Sequence, residues 1–143
     1  MGREKGFVKV PPVSTPSTQA LILFAHGARD PAWGEALHEL ARLVTARDPT
    51  VLVQVAYLEL QAPTLATAID ELAVTCTHIT VLPVFWAAAG HVRQALPTLL
   101  TEARARHPQL TLQALPPLSE LPGLLAFVAD AALAAVHTNN FSK

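Results

Sequence analysis

The first uninterrupted apolar run of the chain is Leu21-Ile-Leu-Phe-Ala25, and it stops abruptly at His26-Gly27. Such a run is too short for a helix and suits a strand buried on both faces. It places His26 at the carboxyl end of that strand, the edge where open α/β sheets bind ligands. Asp30-Pro31 then supplies a capping residue and a proline for the first helical position. A helical pattern follows, with Trp33, Leu37, Leu40, Ala41 and Val44 on the inner face and Glu35, His38, Glu39 and Arg42 mostly outward, ending near Asp48-Pro49.

The same alternation recurs three more times. Val51 to Leu58 reads as a second strand with Glu59 at its end, and a helix from Pro63 buries Leu65, Ala68, Ile69 and Leu72. His78 to Phe85 reads as a third strand, left by the loop Trp86-Ala-Ala-Ala-Gly90-His91. The third helix runs from His91 to about His107 on Val92, Leu96, Leu99, Leu100 and Ala103, with a short first turn or a kink expected at Pro97. Leu110 to Leu115 is the fourth strand. The last helix starts near Glu120-Leu-Pro122 and is expected to bury Leu121, Leu124, Leu125, Val128, Ala132 and Leu133. Strands alternating with helices through short connections predict an α/β fold: a parallel sheet of about four strands with helices on both faces.

Composition narrows what such a sheet can be for. The chain has 143 residues, 51% of them hydrophobic, which is one domain's worth with ample core. Ten Lys and Arg against eleven Asp and Glu give a net charge of -1, so no general attraction to nucleic acid or anionic membrane is expected. The single cysteine, Cys76, excludes an internal disulfide framework and a cysteine-rich zinc site, fits a reducing, cytoplasmic compartment, and reads as a buried structural thiol. Residues 1–18 carry three prolines among Ser and Thr without a continuous apolar stretch and are expected to be a disordered leader, neither a secretory signal nor a membrane span. The domain is expected over 19–137, with a frayed polar tail at 138–143.

Three of the strands end in or near a chemistry-bearing side chain: His26, Glu59 and, beyond the third loop, His91. Parallel strands bring their carboxyl ends to one edge, so these residues can meet although they are far apart in sequence. Two imidazoles and a carboxylate suit a first-row divalent metal and leave coordination positions open for exchange or chemistry. The same trio also suits proton transfer near neutral pH, and a strand-end histidine can equally be a hydrogen-bonded loop residue. Gly27 and Gly90 beside the histidines permit close approach of a ligand or serve tight turns. Arg29 and Arg93 follow the candidate residues closely and would pair with substrate carboxylates, or else be solvated surface cations. Phe85, Trp86 and Ala87 to Ala89 are expected to make a smooth wall suited to a flat ligand, with a core position as the alternative for Phe85. His38, His78, His107 and His137 read as surface residues. Phosphohistidine mutases need an arginine where Ala25 stands, no Gly-x-Ser-x-Gly elbow exists, and Walker and dinucleotide glycine patterns are absent.

Taken together, Phe24-Ala-His-Gly-Ala-Arg-Asp-Pro31, Ala56-Tyr-Leu-Glu-Leu60 with Pro63, and Val81-Leu-Pro-Val-Phe85 through Gly90-His91-Val92 to Pro97 resemble the small class II chelatases of the CbiX/SirB family. The resemblance spans about Ala20 to Val136, with the three motifs in register. It implies ATP-independent insertion of Co2+ or Fe2+ into sirohydrochlorin, a carboxylate-rich tetrapyrrole, with no cofactor beyond the substrate metal (Co2+, Fe2+ or Ni2+). Residue by residue it makes His26 and His91 the metal-handling pair and Glu59 the accompanying acid. Long family members hold two copies of this α/β unit; a chain with one copy is thereby expected to be a homodimer enclosing the macrocycle. Ala28 stands where the family usually has serine, and Ala95 where an aspartate commonly stands, which bears on substrate positioning more than on metal binding. The alternatives are a noncatalytic metal-binding or delivery protein and a plain α/β interaction domain.

Overall fold

A computed structural model describes residues 18–87 and 90–138. Ala88, Ala89, the His91 side chain, residues 1–17 of the leader expected over 1–18 and residues 139–143 of the tail expected over 138–143 lie outside the described residues. The sheet comprises β1 (Gln19–Ala25), β2 (Leu52–Tyr57), β3 (His78–Pro83) and β4 (Thr111–Ala114), and the helices are α1 (Glu35–Arg47), α2 (Leu65–Leu72), α3 (Gly90–Arg106) and α4 (Leu124–Thr138). All strand pairs are parallel, in the order β2-β1-β3-β4. The first strand is therefore central, as its unbroken apolar run requires.

Period-2 geometry divides the strand residues between two layers. Ile22, Phe24, Ile79, Val81 and Leu112 point to one side, where the buried stripe Leu65, Ala68, Ile69 and Leu72 of α2 and Leu100 and Ala103 of α3 cover them. Phe85 meets Phe24 edge-on there, with ring centroids 5.7 Å apart. Each fully buried side chain of this size contributes roughly 1.5–3 kcal/mol. On the other side Leu23, Tyr57 and Leu82 are buried with Leu37 of α1. Cys76 is buried, as its position between helix and strand suggested. Pro97 lies within α3, which is assigned as one helix from Gly90 to Arg106.

Two expectations from the pattern fail. Pro31–Gly34 is a separate 3-10 turn, capped by the Asp30 carboxylate accepting from the Ala32 N–H at 3.0 Å, and α1 begins only at Glu35. Trp33, expected on the buried face, thus falls in the turn and is 78% exposed. The second failure is larger: no residue of α4 is buried, so Leu124, Leu125, Val128, Ala132 and Leu133 do not enter the core of this chain, while Leu121 is half-buried in the turn before the helix.

The helices α2 and α3 are tied by charge. The Asp70 carboxylate accepts from His107 Nε2 at 2.7 Å and from Arg106 Nε at 3.1 Å. The His107 hydrogen bond chiefly holds the Asp70 carboxyl below its ordinary value, against the opposing effect of burial and with help from Arg106. A carboxylate whose value is lowered by folding stabilises the protein above the unfolded value of 3.8, and that contribution disappears as pH falls through the lower folded value. Because the groups are half-exposed, Asp70→Asn is expected to cost at most about 1 kcal/mol at neutral pH. In urea melts the gap between wild type and variant should close as pH is lowered from about 7 to below 3; a gap indifferent to pH would contradict the assignment.

Candidate functional site

The chain moves from β1 outward to β2 and then back across to β3, so the direction of winding reverses between β1 and β3. Loops leaving those two strands diverge and open a crevice at their carboxyl ends. His26 leaves β1 there, and Trp86 lies in the loop that leaves β3. Glu59 arrives from β2 because the β1–β2 ladder continues beyond the strands: the Leu58 N–H donates to the Ala25 carbonyl at 2.9 Å and the Glu59 N–H to the His26 carbonyl at 3.1 Å. Gly27 makes this approach possible. Its φ is +99°, and a Cβ there would lie 1.9 Å from the Glu59 carbonyl oxygen.

The result is a close pair: His26 Nε2 stands 3.4 Å from Glu59 Oε2, with both side chains about half-exposed. The other ring nitrogen, Nδ1, lies 3.2 Å from the Gly27 carbonyl, which can only accept, so this contact places the imidazole proton on Nδ1. In that tautomer the Nε2 lone pair faces a carboxylate oxygen. Two acceptors at this distance call for a shared cation or proton between them. His26 Nε2 and Glu59 Oε2 would be the two atoms of the pair to hold a divalent ion there. Among the described residues no group of three or more His, Cys, Asp or Glu is placed to hold a metal ion.

Beside the pair lies a cavity of about 450 Å³ lined by His26, Ala28, Trp33, Tyr57, Gln61 and Phe85, among others. Trp33 and Gln61 were not singled out from the sequence. Trp33 was hidden by the helical pattern it interrupts, whereas the Asp30-Pro31 cap is the signal that its turn stays at the sheet edge. Gln61 Oε1 accepts from the Ala28 N–H at 2.8 Å and holds the loop after His26 in place. Trp86 is 57% exposed in the loop after β3 and is not among the residues that line the cavity. Arg29 and Arg93 are exposed, the latter on the first turn of α3, and the Gly90–His91 backbone opens that helix. His107 is engaged by Asp70, and His78 Nδ1 by the Thr77 hydroxyl at 2.9 Å. Among the described residues no helix is long and apolar enough to cross a membrane.

An open parallel sheet with an imidazole and a carboxylate 3.4 Å apart beyond the carboxyl ends of β1 and β2 defines a protein of the α/β class. The chain belongs to the CbiX family, whose profile matches residues 20–135. It is 34% identical over 83 residues to the sirohydrochlorin cobaltochelatase of Methanocaldococcus jannaschii, an alignment covering 57% of this chain and 58% of that protein. With the sirohydrochlorin cobaltochelatase of Priestia megaterium it shares 26% identity over 93 residues, 64% of this chain and 30% of that one. The chain thus matches only about a third to three fifths of the length of these relatives. Among solved structures, a CbiX protein from Marinobacter aquaeolei VT8 superposes with a TM-score of 0.71 at 28% identity, covering 83% of this chain and 98% of that one. The cobalt complex of the sirohydrochlorin chelatase SirB from Bacillus subtilis superposes with a TM-score of 0.63 at 24% identity, covering 71% of this chain and 44% of that one, and shares the fold.

Proposed function

We propose that this protein is a chelatase that inserts Co2+ or Fe2+ into sirohydrochlorin or a closely related tetrapyrrole without ATP, acting in the cytoplasm as a homodimer. The observation that carries the reading is the His26–Glu59 pair, two cation-seeking atoms 3.4 Å apart at the switch point of a CbiX-family sheet. Insertion exchanges one divalent ion for two protons of the macrocycle's inner N–H groups. The site therefore needs a weakly held ion and a base that takes protons as it leaves. His26 Nε2 offers the lone pair, Glu59 the negative charge and proton acceptor, and His91, whose backbone lies in the first turn of α3, is the third member that the family resemblance supplies.

Trp33 and Phe85 line the cavity, and residues outside its lining are assigned to the rest of the substrate. Trp33, Trp86 and Phe85 supply flat apolar surface, with Gly90 leaving room for the macrocycle edge, while Arg29 and Arg93 meet peripheral carboxylates. A single α/β unit covers one side of such a disc, and a second copy covers the other.

The test is anaerobic incubation of sirohydrochlorin with Co2+, Fe2+ or Ni2+, followed by visible absorption, with and without catalytic amounts of protein. Multiple-turnover acceleration with Co2+ or Fe2+ is the expected result. Stoichiometric metal binding by folded protein with no acceleration for any ion would overturn the enzyme reading in favour of metal delivery.

A further inference from the structure

Glu59 stands beyond the end of its strand, in an excursion that leaves β2 after Tyr57 and returns at Pro63. The Tyr57 N–H donates to the Pro63 carbonyl at 2.9 Å and closes the base of this excursion. Two backbone rungs carry the β1–β2 ladder into it, from Leu58 to Ala25 and from Glu59 to His26. There the backbone ladder stops. Leu60 has φ +70° and is the one non-glycine residue in the left-handed region among the described residues, which interrupts the extended backbone that a further rung would need. An L side chain enters that region only against steric resistance, and Leu60, 53% exposed, gains little from packing there. The turn is therefore held by what lies on either side of it.

On the far side stands Gln61. Its Oε1 accepts from the Ala28 N–H at 2.8 Å, so a side chain supplies the rung that the backbone no longer makes. An N–H can only donate, and this contact thereby fixes which end of the carboxamide faces the loop. Both partners are half-buried, where a donor left unpaired is costly. The consequence is geometric. The ties at the His26 carbonyl and the Ala28 N–H flank Gly27, and the residues that make them, Glu59 and Gln61, flank Leu60. The pair of ties thus brackets both residues of positive φ, Gly27 and Leu60, and sets how far apart His26 Nε2 and Glu59 Oε2 stand, at 3.4 Å.

We infer that Gln61 is a positioning residue for the proposed reaction: acting through the Ala28 backbone, it holds His26 at its working distance from Glu59. Without the bond one tie remains, and the loop can open about Gly27, which has no side chain to resist. A displacement of about 1 Å at a reacting pair costs up to about 100-fold in rate. The effect on rate rests on the proposed function; the effect on the Ala28 loop does not.

The test compares Gln61→Met, which keeps the length of the side chain without the acceptor, with Gln61→Glu, which keeps an acceptor in the same place. In Gln61→Met the Ala28 amide is expected to exchange its hydrogen at least about 10-fold faster by NMR. Co2+ binding, followed by absorption titration, should weaken about 10-fold. In the insertion assay kcat should fall at least about 10-fold while KM for sirohydrochlorin moves less than about 2-fold. Gln61→Glu should stay within about 3-fold of the unaltered protein in all of these. With Glu59→Gln already in place there is no pair left to align, so adding Gln61→Met should lower kcat by less than about 2-fold. A folded Gln61→Met that loses stability but keeps Co2+ affinity and kcat overturns the inference. So does a Gln61→Glu variant as impaired as Gln61→Met, or a full additional loss on top of Glu59→Gln. If Gln61→Met fails to fold, Gln61→Asn, whose amide is one methylene short of Ala28, takes its place. If the unaltered protein inserts no metal, the chelatase reading falls, and Ala28 exchange with Co2+ affinity decides the role of Gln61 without it.

Discussion

Replacing His26 with alanine is expected to lower metal insertion at least about 100-fold, the lower end of what a positioned base or ligand contributes. The variant should keep its fold, because the side chain is about half-exposed and its contact with the Gly27 carbonyl is to the adjacent residue. Glu59→Gln keeps the size of the side chain and removes both the charge and the proton acceptor, so it is expected to cause a loss of similar order. If the two residues work on one ion, the double variant loses little beyond the worse single one, since members of a unit are not additive. Initial rates with saturating Co2+, alongside far-ultraviolet circular dichroism, check both statements. Full activity in either folded variant would remove that residue from the mechanism.

The second large effect concerns Gly27, where function and stability depend on the same atom being absent. Gly27→Ala places a Cβ 1.9 Å from the Glu59 carbonyl oxygen in a backbone region, φ +99°, that side chains rarely adopt. The clash is with backbone that the Glu59 N–H bond to His26 holds in place, so it can be relieved only by moving the two loops apart. A cost of about 2–4 kcal/mol is expected in urea unfolding. Any folded fraction should insert metal at least about 10-fold more slowly, because the displacement separates His26 from Glu59. Gly123→Ala is the comparison: its φ is +86°, and among the described residues nothing lies within 4 Å of the added atom. It should show only the backbone part of the penalty, about 1–2 kcal/mol. Equal costs for the two substitutions would show that the close approach to Glu59 is not what the first glycine is for.

These predictions rest on features of unequal visibility in the sequence. The apolar run at Leu21–Ala25 revealed the central strand, because a strand buried on both faces has no other readable form. The stripe Leu65, Ala68, Ile69 and Leu72 did the same for α2, since a helix with one buried face must repeat at that spacing. The convergence of His26 and Glu59 was also legible, given a parallel sheet whose carboxyl ends share an edge.

Other features were decided only in three dimensions. Trp33 fits the periodicity of α1, yet it lies in a 3-10 turn, because local spacing does not distinguish the first turn of a helix from the turn that delivers it. Gln61 reaches Ala28 across 33 positions, a contact that no local pattern encodes. For α4, the sequence by itself determined that the segment is helical and apolar, because those properties are local to Leu124–Thr138. Which surface receives it is a property of tertiary placement, and the tertiary structure decided that this surface is not in its own chain's core: hydrophobicity states that a face must be covered without saying by what.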